Sequence, residues 1–125
     1  MKHELGTGCL NGLRDIFHGS AVSAGWYTNL ETGKPLERNI PEMLCLIHSE
    51  ISEALEAYRK DLKDDHLRHY NGIDVELADS IIRILDLCGY LGIDIGAAVE
   101  DKFSYNQHRA DHKIENRMKE GGKKV

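Results

Sequence analysis

"HSEISEALEAYR", residues 48–59, and "VELADSIIRILDL", residues 75–87, decide the fold of this 125-residue chain. Both stretches are apolar at helical intervals. Both also carry acids three residues apart, Glu50 and Glu53 in the first and Glu76 and Asp79 in the second. A spacing of three stacks two carboxylates on one side of a helix, one turn apart. In the second stretch Glu76, Asp79, Arg83 and Asp86 follow at steps of three, four and three. At roughly 100° per residue they share an arc of about 80°. The rest of that helix, from Val75 through Leu77, Ile81, Ile84, Leu85 and Cys88 to Leu91, is apolar over most of its circumference. Such a helix is buried in a bundle or in an oligomer interface.

Working outward, the periodicity predicts four helices. The first covers about Leu10 to Ala24, with Leu10, Leu13, Ile16, Phe17 and Ala21 in helical spacing. "GWYTNLETGKPLERN", residues 25–39, interrupts it, and the turn signals at Thr32-Gly33 and Lys34-Pro35 predict a loop or small hairpin. The second helix has the clearest start. Asn39 can cap it, Pro41 fits its first turn and Glu42 stands three residues after Asn39, as in a capping box. It runs to about Asp61, with Met43, Leu44, Ile47, Ile51, Ala54, Leu55 and Tyr58 as its apolar stripe. The polar "LKDDHLRHYNG", residues 62–72, is the expected loop and the segment expected to move most. Helix three spans about Asp74 to Tyr90, and helix four, capped by Asp94, continues through Phe103 to Ala110. Residues 1–9 and 119–125 are expected to fray. The fold class expected is all-α, one domain over residues 1–125, a bundle of about four helices completed by oligomerisation.

The formal net charge of −5 argues against nucleic acid or an anionic membrane surface as main partner, since both call for excess Lys and Arg. Cys9, Cys45 and Cys88 show no CxxC spacing and sit in helical segments, which predicts reduced, buried thiols rather than disulfides or a zinc site. No apolar run approaches the roughly 18 residues of a membrane span, and the N-terminus lacks the apolar core of a signal peptide. A soluble, cytoplasmic protein is expected.

An isolated Glu-x-x-Glu on a surface helix usually marks a solvated face. Two acid pairs on separate helices, one of them a helix that must be buried, call instead for cations between them. Four carboxylates make an all-oxygen site suited to Mg²⁺ or Mn²⁺. A dinuclear iron bundle uses Glu-x-x-His, and neither pair here has a histidine in that place. On helix four, Lys102, Asn106, Arg109 and Lys113 follow at steps of four, three and four, again on one face. That face is either an ordinary basic stripe or a grip on phosphate oxygens. Trp26 either stacks on a base or anchors packing, and His18 and His48 are open in the same way. Arg83 is expected to pair with acids, Asp86 to serve as an outer ligand or a salt-bridge partner. His108 and His112 stand at i, i+4 without an evident third ligand.

Glu50-x-x-Glu53, 22 intervening residues and Glu76-x-x-Asp79 resemble the ExxE…ExxD pattern of the MazG-like, all-α nucleoside triphosphate pyrophosphohydrolases. "DKFSYNQHRADHK", residues 101–113, is similar to that family's K-x-x-Y-N-x-x-R segment. The resemblance implies hydrolysis of an NTP or dNTP to the monophosphate and pyrophosphate, with Mg²⁺ held by Glu50, Glu53, Glu76 and Asp79 and with Glu50 or Glu53 accepting a proton from water. It further implies that Lys102, Asn106 and Arg109 contact phosphates or sugar, and that the chain works as a homodimer or a dimer of dimers. The alternative on the same scaffold is a helical module that binds or senses a nucleotide without hydrolysing it.

Overall fold

The computed structural model describes residues 6–125; of the N-terminal stretch expected to fray, residues 1–5 lie outside the described residues. The chain is helical, with no strand among the described residues. The elements are α1 (Thr7–Ser23), α2 (Ile40–Arg59), α3 (Gly72–Leu91) and α4 (Ile95–His108), then a 3₁₀ turn at Ala110–His112 and the short α5 (Ile114–Arg117). The chain divides into two compact units. Gly12–Ile93 form one, and the described residues up to Asn11 form the other with Asp94–Val125.

In the larger unit α2 and α3 pack along one another. The start of α2 is as the sequence predicts, with Asn39 extended and its Oδ1 accepting the Glu42 N–H at 3.0 Å. At the head of α3 the Asp74 carboxylate reaches back to the Asn71 N–H at 3.3 Å. The α2–α3 loop is tied by the Asp64 carboxylate, which accepts from His66 N at 3.0 Å and Leu67 N at 2.7 Å. Lys63 Nζ closes it onto Asn71 Oδ1 at 2.7 Å. Gly72 lets α3 start directly against the end of α2, because a Cβ there would stand 2.9 Å from Ala57 Cβ. The predicted hairpin forms between α1 and α2: Asn29 N bonds Lys34 O, Leu36 N bonds Tyr27 O, and Gly33 takes the left-handed turn position at φ +71°. The core joins Tyr27, Met43 and Leu87, flanked by Ala21, Ile40, Ile47 and Tyr90.

Two sequence expectations change here. The buried face of α2 is Met43, Glu50, Ala54 and Ala57, while Leu44, Ile51, Leu55 and Tyr58 of the expected stripe are exposed, Tyr58 to 70%. Two stripes run along α2 at helical spacing, and the one with alanines admits α3 at close range. A carboxylate therefore occupies a core position. Likewise only Cys88 is buried, and Cys9 and Cys45 are exposed free thiols, because neither sits on the face its helix turns inward.

In the smaller unit Asp94 caps α4 as predicted, its Oδ1 accepting Ala97 N–H at 3.0 Å, and Asn11 Nδ2 donates to the same oxygen at 2.9 Å. Helix α4 stops at His108, two residues short of the expected end, because Arg109 turns extended at φ −70°, ψ 132°. Residues after α5 fold back on it: Arg117 donates to the carbonyls of Lys123 and Lys124 at 3.0 and 2.9 Å. No helix among the described residues is long and apolar enough to cross a membrane.

Candidate functional site

Glu50, Glu76 and Asp79 each bring a carboxylate oxygen within 4.8 Å of the other two. Glu50 comes from the buried face of α2, and Glu76 and Asp79 come from the polar stripe of α3, so the α2–α3 packing assembles the group. Glu50, only 8% exposed, is held by Arg83, whose Nε donates to its Oε1 at 2.8 Å. Glu53 lies outside that three-oxygen group and is exposed, yet its carboxyl is within hydrogen-bonding reach of Glu50 and Glu76. Glu56, one turn on, turns away to bind Lys60 Nζ at 2.6 Å.

The electrostatics follow from crowding. Burial, reinforced by the neighbouring Glu50 and Glu53, pushes the Glu76 carboxyl up to about 7. Burial opposes ionisation of Glu50 as well, but hydrogen bonds from Arg83 and with Glu76 and Glu53 outweigh it and hold Glu50 below the usual carboxylate range. Asp79 is raised by burial and by the Glu50 charge. Like charges this close resist ionising together, so Glu76 is raised most plainly of the three when no cation is bound. The donor set fits a hard divalent ion.

Beside the acids opens a cavity of about 510 Å³, lined by Phe17, Ala21, Trp26, Arg38, Leu46 and Ile82 together with Glu50, Asp79, Arg83 and Asp86. Trp26, among its lining residues, is 66% exposed, and the packing role falls to Tyr27. Asp86 Oδ1 accepts from His18 Nδ1 at 2.9 Å and Oδ2 from the Tyr27 hydroxyl at 2.8 Å. Tyr27 stacks on Tyr90 at 4.9 Å between centroids and meets the His18 ring edge-on at 4.8 Å. Burial and the bond to Asp86 push the Tyr27 hydroxyl pKa up, which keeps its proton in place. Arg38 lies over the Tyr27 ring at 5.5 Å and donates to the Trp26 carbonyl at 3.2 Å.

Of the four acids that the sequence places at one site, Glu50, Glu76 and Asp79 converge and Glu53 lies outside their group, and Arg83 pairs with an acid as expected. Asp86 is held by hydrogen bonds with His18 and Tyr27. Arg38, Tyr27 and Phe17 were missed as site residues; Arg38 and Tyr27 sit in the inter-helix segment, where no periodicity exists to read. Lys102, Asn106 and Arg109 belong to the smaller unit. Lys102 and Asn106 share a face of α4, whereas Arg109 stands past its end and forks onto Asp111 at 3.0 and 2.6 Å. Lys102 Nζ lies over the Tyr105 ring at 4.8 Å, and Asn106 Oδ1 is buried with no hydrogen-bond donor among the described residues. No protein-family model, curated protein or solved structure matches the chain.

Proposed function

We propose that the chain is a Mg²⁺-dependent nucleoside triphosphate pyrophosphohydrolase of the MazG-like, all-α kind, converting an NTP or dNTP to the monophosphate and pyrophosphate. The observation that carries this reading is the convergence of the Glu50, Glu76 and Asp79 oxygens within 4.8 Å, from two facing helices, at the edge of a cavity of nucleotide size. Divalent cations, when bound, neutralise the triphosphate and lower the pKa of an attacking water. Glu50, Glu76 and Asp79 are the ligands in this reading. Glu53, exposed and outside that group, is left to accept the water's proton on a carboxylate oxygen.

A homo-oligomer belongs to the same proposal. It is supported by the apolar side chains left exposed on both packed helices, Leu44, Ile51, Leu55 and Tyr58 on α2 and Leu77, Ile81 and Ile84 on α3.

The test is incubation of the purified protein with each NTP and dNTP in Mg²⁺ or Mn²⁺, followed by separation of products. Monophosphate with pyrophosphate is the expected pair; release of orthophosphate alone sinks the reaction assigned. Tight nucleotide binding without product over hours establishes the non-catalytic module instead. Asp79→Asn is expected to lose metal binding and turnover together. Glu53→Gln is expected to keep metal binding and lose roughly 100-fold or more in kcat.

A further inference from the structure

The nucleotide reading leaves the base unspecified, and the polar groups of the cavity beside the acids select one. Asp86 enters that cavity with its carboxylate plane already set, one oxygen held by His18 and the other by Tyr27. Each carboxylate oxygen can accept more than one hydrogen bond. What the pair still offers is an acceptor edge for two neighbouring N–H donors. Arg38 stands 5.5 Å over the ring whose hydroxyl binds Asp86, and Arg38 and Asp86 line the same cavity. Arg38 has Nη1 on the Trp26 carbonyl and presents a planar fork of further donors. Trp26, exposed among the lining residues, supplies a face on which a base can stack.

We infer that this cavity reads guanine: Asp86 accepts from N1–H and the N2 amino group, Arg38 donates to O6 and N7, and Trp26 stacks on the ring. The inference rests on the nucleotide reading above. Guanine is the base with two adjacent donors on one edge and two adjacent acceptors on the next, the pair that a guanidinium fork matches. Uracil and thymine turn carbonyl oxygens to either side of their single N–H, which a carboxylate repels. Adenine gives the fork one acceptor and one donor on its N6/N7 edge. Cytosine offers a single amino group to Asp86 and is the nearest competitor.

The experiment measures kcat/KM of the full-length protein with Mg²⁺ for GTP, dGTP, ATP, CTP, UTP, ITP and 7-deaza-GTP. GTP or dGTP is expected to lead by roughly 10- to 100-fold, with a loss of similar size for ITP, which lacks the N2 amino group, and for 7-deaza-GTP, which lacks N7. In Asp86→Asn, checked for folding by circular dichroism, the GTP-to-ATP ratio is expected to collapse toward one. The two analogue substrates make the same point on the unaltered protein. Hydrolysis led by CTP or any other non-guanine nucleotide overturns the guanine assignment and leaves the pyrophosphohydrolase reading intact. Should no nucleotide be hydrolysed, calorimetry with α,β-methylene analogues of GTP, ATP and CTP separates the remaining cases. Preferred binding of the guanine analogue keeps the pocket and removes the catalysis, whereas binding of none overturns both.

Discussion

Arg83 Nε stands 2.8 Å from Glu50 Oε1, joining the polar stripe of α3 to the buried face of α2. The pair puts a guanidinium where the acid cluster needs positive charge, and it does so with a side chain that is itself 42% exposed. Arg83 is thus the resident counter-ion of Glu50.

Removing that counter-ion is the first prediction. Arg83→Met leaves the Glu50 carboxylate, 11% exposed in its side chain, without its partner. The cost is expected at about 1–3 kcal/mol, the range for a buried polar group left without its partner, and not the larger penalty of a fully buried pair. Urea unfolding in EDTA measures it. Repeating the titration in Mg²⁺ is expected to recover part of the loss, since a bound cation takes over the neutralising role. A loss that Mg²⁺ leaves untouched separates Arg83 from the metal site.

The acid cluster also sets a pH dependence. The Glu76 pKa is raised from 4.5 in the ordinary carboxyl to about 7 in the fold, so its contribution is complete below about 4.5 and is lost as pH rises through about 7. Asp79, also raised, acts in the same direction. Glu50 is lowered and acts oppositely, contributing above its ordinary range and losing that contribution as pH falls. Metal-free protein is therefore expected to lose stability between pH 5 and pH 8, and Glu76→Gln to flatten the profile. Mg²⁺ competes with the same proton, so the rise in Tm that it gives should grow through pH 7. A Tm in EDTA that climbs steadily over this range contradicts the assignment.

How much of this was legible in the sequence depends on the range over which the information acts. The Asn39 and Asp94 caps, the turn at Gly33 and the acid spacing are local, and each can be read within a few residues. The inward face of α2 is not local. Residues 43, 50, 54 and 57 and residues 44, 51, 55 and 58 both keep helical spacing, and hydrophobicity favours the second set, with its leucines and tyrosine. The neighbouring helix favours the first, because Ala54 and Ala57 let it approach. The Asp86 network was out of reach for a related reason: its partners Tyr27 and His18 are 59 and 68 positions away. Nothing in their own segments announces them.

Close approach gives the next prediction through two glycines of opposite character. A Cβ at Gly89 on α3 would run into the Cβ and ring of His18 on α1, whereas a Cβ at Gly19 on α1 meets nothing within 4 Å. Both are helix-interior positions, where alanine gains about 1 kcal/mol over glycine from propensity alone. At Gly19 that gain stands unopposed, and Gly19→Ala is expected to stabilise by about that amount. At Gly89 an overpacking cost of about 1–3 kcal/mol outweighs it, and Gly89→Ala is expected to be net destabilising. Because the displaced group is His18, the same substitution should disturb the Asp86 network, and guanine preference should fall with stability. Equilibrium unfolding and the nucleotide panel on the two variants check both parts.

The exposed stripes make the last prediction. Leu55 is 58% and Ile81 54% exposed, each in the middle of an apolar row on a helix that already packs on its other side. Scattered leucines on a surface require no partner, but a row of them along a helix leaves apolar area that water covers at a cost. If a second copy covers it, a charge placed in the patch is forced into a desolvated interface and association fails. If solvent covers it, the same charge is neutral or improves solubility. Leu55→Lys and Ile81→Glu, examined singly by sedimentation equilibrium, are each expected to convert an oligomer to monomer and to lower Tm in a concentration-dependent way. The double variant is informative for orientation: should residue 55 of one copy lie across from residue 81 of the other, lysine and glutamate face each other and association partly returns. A wild-type chain that sediments as monomer at micromolar concentration removes the oligomer from the proposed function and leaves the acid cluster to be judged alone.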